Sequence, residues 1–100
     1  MQSVQTVLRA YQAAPNPRLN GMRRRNMTPA ELIAGCREQI SLAGENATTA
    51  VVMRGRWGKR NYRTLLGVRG EIVQELEHGI LVMFPAAELL HAVCANIARG

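Results

Sequence analysis

One hundred residues with 47% apolar content and a net charge of +6 describe a single small folded domain, and exclude a disordered tail. The longest apolar run, residues 80–87, contains Pro85 and is far short of the roughly 20 apolar residues that span a bilayer. No charged leader precedes the first apolar residues, which leads us to expect a soluble, cytoplasmic protein without membrane association.

Residues 3–14 predict a short amphipathic helix, with Val4, Val7, Leu8 and Tyr11 on one face and Ser3 as cap. Pro15 and Pro17 end it. Residues 15–26 read as a linker carrying Arg23, Arg24 and Arg25. The expected organisation is an N-terminal helix and basic linker over 1–26, then a compact domain over 27–100. Met22 and Met27 could each serve as a translation start in place of Met1, a choice the residues leave open.

Thr28-Pro29-Ala30-Glu31 predicts a helix start: Thr28 at the N-cap, Pro29 at N1 and Glu31 closing a capping box. Met27 and Leu32 form the matching hydrophobic staple, and Gly44 the stop, giving a helix over 29–43. The β-branched residues 48–53 predict a buried strand. Residues 55–58 read as a loop or hairpin tip, and residues 62–66 as a second strand. After a turn over 67–70, residues 71–76 form a third strand, Glu77-His78-Gly79 a tight turn and residues 80–84 a fourth strand. That fourth strand is apolar on both faces and therefore central. Pro85 opens a last helix with an apolar stripe through Leu89, Leu90, Val93, Cys94 and Ile97. The fold expected is α+β: a small bent antiparallel sheet of three to four strands, able to close as an SH3-like barrel, with two to three packed helices.

Charge is distributed in blocks. Residues 1–30 carry +5, residues 31–45 carry −2, residues 46–69 carry +6 and residues 70–100 carry −3. The densest basic block is residues 54–63, where Arg54, Arg56, Lys59, Arg60 and Arg63 surround Trp57 and Tyr62. Cations that release counterions from phosphates, beside aromatics that stack on bases, are the combination a nucleic-acid surface needs. These seven residues and the Arg23–Arg24–Arg25 arm are the candidate contact set, with DNA and RNA both open. The other reading is a protein–protein adaptor or inhibitor, of the kind found in phage and mobile elements. It would be steered to an acidic protein partner and could form homodimers.

Two segments have local likenesses. Gly67-Val68-Arg69-Gly70-Glu71-Ile72-Val73, followed by Gly79-Ile80-Leu81-Val82, resembles the turn-strand rhythm of KOW-type SH3-like modules, which implies binding to RNA or ribosomal proteins. Leu19-Asn20-Gly21-Met22 with Thr28-Pro29-Ala30-Glu31 is similar to the segment after the catalytic core in integrase-type transposases. A helix cap explains the second half of that match equally, and no catalytic core is present.

No catalytic role and no cofactor are expected. His91 and Cys94 are spaced as two metal ligands, but no second pair accompanies them, so no metal is expected. Glu71, Glu75 and Glu77 read as a solvated strand edge. Cys36 and Cys94, each among apolar neighbours, are expected to be buried and reduced.

Overall fold

The computed structural model describes residues 11–12, 27–77 and 79–99, without the side chains of Tyr11, Gln12, Arg54, Trp57 and Asn61. The elements are β1 (Tyr11–Gln12), α1 (Pro29–Ala43), β2 (Thr48–Arg54), α2 (Gly55–Asn61), β3 (Thr64–Leu65), β4 (Val68–Arg69), β5 (Glu71–Leu76), β6 (Gly79–Pro85) and α3 (Ala86–Ala98). This is the α+β architecture expected. No described helix is long and apolar enough to cross a membrane.

Helix α1 starts where the local signals put it. The Thr28 hydroxyl accepts the Glu31 amide proton at 3.1 Å and donates to the Glu31 carboxylate at 3.2 Å, and the Thr28 carbonyl accepts from the Leu32 amide. Met27 and Leu32 both pack on the core, as a staple requires. At the other end Gly44 takes φ +77°, a conformation glycine adopts without strain, and its amide donates to the Ile40 carbonyl.

The sheet order is β1-β2-β6-β5, with every neighbouring pair antiparallel. Strand β6 is central, as its two apolar faces demand. It pairs along its full length with β2, from Thr48 opposite Pro85 to Arg54 opposite Gly79. β5 lies on its other side, with a register shift between Ile72 and Gln74. The hairpin β3–β4 forms a separate two-stranded sheet. The described strands thus form an open sheet beside a small hairpin, and do not close into a barrel.

One sheet face carries Val51, Met53, Ile80, Val82 and Phe84, all buried. Leu32 and Cys36 of α1 and Ala86, Leu89 and Val93 of α3 cover it, and Leu65 and Val68 of the hairpin complete the core. Aliphatic burial of this kind is the main stabilising term, at roughly 25 cal/mol per Å² of apolar surface.

Five expectations need correction. Tyr11–Gln12 is a strand, not part of a helix over 3–14; it pairs with Val52 and Met53 on the free edge of β2. A helix of about eleven residues is marginal in water, and an unpaired sheet edge offers it competing hydrogen bonds. The rest of that segment, with Arg23, Arg24 and Arg25, lies outside the described residues. Residues 55–58 open a helix instead of a hairpin tip. The expected second strand shrinks to Thr64–Leu65, which turns through Leu66 (φ 54°) and Gly67 (φ 84°) into Val68–Arg69. Two successive positive φ values are those of a two-residue hairpin turn matched to strand twist. Cys94 is exposed, not buried, because the inward stripe of α3 is centred on Ala86, Leu89 and Val93. The last helix also begins one residue late: Pro85 is still paired with Thr48, and the Ala86 amide donates to the Ala47 carbonyl at 2.9 Å.

Candidate functional site

Seven residues with two glycines would not hold a helix alone. Helix α2 is held by where it rests. Gly55 takes φ +66°, turning the chain sharply off the end of β2. Gly58 is buried, and a Cβ there would lie 2.6 Å from the Met53 carbonyl carbon and oxygen. The helix backbone therefore lies directly on β2, a spacing only glycine permits.

That seating decides which way the cations face. At about 100° per residue, Arg56, Lys59 and Arg60 fall at i, i+3 and i+4, on the side away from Gly58. All three are exposed. Among the described residues, no carboxylate comes within ion-pair distance of them. The Trp57 side chain lies outside the described residues, as does that of Arg54, whose backbone ends β2 opposite Gly79.

Tyr62 and Arg63 follow in the turn after α2. Arg63 Nε donates to the Tyr62 phenol oxygen at 3.1 Å, and its guanidinium carbon lies 5.7 Å from the ring centroid. The hydrogen bond and the electrostatic interaction with Tyr62 raise the Arg63 pKa above its already high ordinary value. Tyr62 is half-buried against the core and engaged by Arg63, which leaves it less ring face for base stacking than the sequence suggests.

The hairpin brings a residue that sequence reasoning missed. Arg69 pairs with Thr64 across β3–β4, and the Gly70 amide donates to the Arg63 carbonyl at 3.1 Å. Arg63, Arg69, Tyr62, Thr64 and Glu71 line a cleft of about 570 Å³. Gly70 shapes this corner: a Cβ would lie 2.4 Å from Val82 Cγ1 and 2.5 Å from Phe84 Cε1. Arg69 belongs to the basic block of 46–69, but a reading as a turn gave it no surface.

The segregation of charge along the chain is only partly kept in space. Glu71 shares the cleft with Arg63 and Arg69. Leu76 and Arg54 both lie opposite Gly79, so the acidic end of β5 is two strands from Arg54, about 10 Å. That is about one Debye length at 0.1 M salt, so the acids at this rim are felt. The outer face of α2 carries three exposed cations together, Arg56, Lys59 and Arg60.

A second, open cleft of about 560 Å³ lies between α3 and the hairpin, lined by Val68, Glu88, His91, Ala95 and Arg99 among others. Among the described residues, no group of three His, Cys, Asp or Glu side chains is placed to hold a metal.

No family model matches the chain, and no curated protein or solved structure is detectably similar to it.

Proposed function

We propose that the protein is a small non-enzymatic nucleic-acid-binding module whose grip is the outer face of α2, extended by Arg63 and Arg69. The observation that carries this reading is the seating of Gly58 on Met53, which turns Arg56, Lys59 and Arg60 together toward solvent. Three exposed cations within one helical turn can neutralise neighbouring phosphates together. Arg63, braced by the Tyr62 phenol, adds a guanidinium already restrained in place. A cytoplasmic setting, where both partner classes and reduced thiols are found, fits this role.

The direct test is binding to single-stranded and duplex DNA and RNA, with the variant in which Arg56, Lys59 and Arg60 are all replaced by Ala. Loss of three phosphate contacts weakens binding on the order of 100-fold at 0.1 M salt, with the circular dichroism spectrum unchanged. The four nucleic-acid arms identify the ligand class. Unchanged affinity in the folded variant rejects the reading. So does a partner that survives nuclease treatment as a stoichiometric acidic protein, which is the outcome expected of an adaptor.

A further inference from the structure

We propose that Cys36 and Cys94 are a thiol–disulfide site, in which exposed Cys94 is the entry thiol and buried Cys36 closes an intramolecular disulfide on exchange with a low-molecular-weight disulfide. Both are free thiols in the structure.

The placement follows from the topology. α1 leads into β2, α3 leads out of β6, and β2 and β6 are antiparallel, so the two helices pack antiparallel on the same sheet face. The Ala86 amide bound to the Ala47 carbonyl fixes the end they share. Cys36 lies seven residues before the end of α1 at Ala43, and Cys94 eight residues beyond the start of α3 at Ala86. At about 1.5 Å per residue, each lies about 10–12 Å along its own helix from the end nearest that contact.

The flanks of α3 supply the second coordinate. Its Ala92, Ala95 and Asn96 flank faces the β3–β4 hairpin across the open cleft. Cys94 lies one turn after half-buried Leu90, which packs on the core, on a helix that packs directly against α1. Cys36 is 0% exposed in the α1 face of that core. The two thiols also sense each other electrostatically: burial first, and the Cys94 charge second, push Cys36 up to about 11.

The chemistry divides by access. The Cys94 thiolate attacks one sulfur of the small disulfide, forming a mixed disulfide and expelling one thiolate. Cys36 then loses its proton to solvent and attacks Sγ of Cys94, expelling the second thiolate. Two protein thiols and one small disulfide become one protein disulfide and two small thiols, so electrons and protons balance. Burial that keeps Cys36 protonated slows the second step at neutral pH, and that step accelerates as pH rises. The product would cross-link α1 to α3 at the core that also supports α2.

The test is incubation of the full chain with oxidised glutathione, followed by intact-mass measurement and non-reducing peptide mapping. The expected product has lost two hydrogens, carries no glutathione and links the Cys36 and Cys94 peptides. Cys36→Ala should stop at a glutathione adduct on Cys94, and folded Cys94→Ala should not react. Wild-type protein that retains the adduct on Cys94 with Cys36 free, forms only intermolecular disulfides or does not react overturns the proposal. These wild-type outcomes need no variant to fold.

Discussion

Helices α1 and α2 are both helical for reasons that hardly overlap. α1 carries its own instructions: a Thr28 cap, Pro29 at the first position, Glu31 closing the box, and Gly44 at the end. α2 has none of these. Its two glycines oppose helix formation, and its geometry comes from Gly55 turning and Gly58 resting on Met53. The first helix is specified by its own capping residues and the second by its contact with the strand before it. The candidate site sits on the second, so the cationic face depends on one backbone contact and not on the cationic residues themselves.

The largest effect is expected at that contact. Gly58→Ala places a methyl carbon against the Met53 backbone, which cannot rotate away as a side chain could. The expected cost is about 3 kcal/mol in denaturant unfolding, together with loss of nucleic-acid affinity in whatever fraction remains folded. A variant of unchanged stability and affinity would show that α2 is not anchored there.

An effect no larger, and confined to high pH, belongs to α1. Cys36 has its pKa raised from 9.0 to about 11, so the folded state holds a proton that the unfolded chain releases first. Stability is therefore unaffected below about pH 9 and falls as pH climbs from there toward 11. The loss is at most about 3 kcal/mol. Urea titrations of the reduced wild type against Cys36→Ala across that range isolate it, since the variant lacks this component. Parallel pH profiles would mean the thiol is not desolvated.

The smallest is the cap. Thr28→Ala removes the hydroxyl that accepts the Glu31 amide and costs about 1 kcal/mol, read as a lowered thermal midpoint with α2 and its binding untouched. A matching loss of affinity would break the separation between the two helices.

The contrast also explains what could be read in advance. α1, β2, β5, β6 and the body of α3 follow from capping residues and hydrophobic period, which are local. β1 does not: Tyr11 pairs with Met53, far along the chain, and nothing near Tyr11 announces it. The glycines of 55–58 look like turn residues, and one of them is. The role of Gly58 as a close-packing surface appears only when β2 lies beneath it. Arg69 was hidden for a similar reason, since a two-residue strand between glycines has no period to detect. Cys94 falls in a plausible apolar stripe, but the stripe is wider than the surface the core covers.

If three cations on one helical face hold phosphates, the salt dependence of binding reads their number. Plotting log affinity against log salt for the wild type and the triple alanine variant should give slopes differing by about 2–3 on duplex DNA, or about 2 on a single strand. Two parallel lines would mean that Arg56, Lys59 and Arg60 touch no phosphate, whatever else the protein binds.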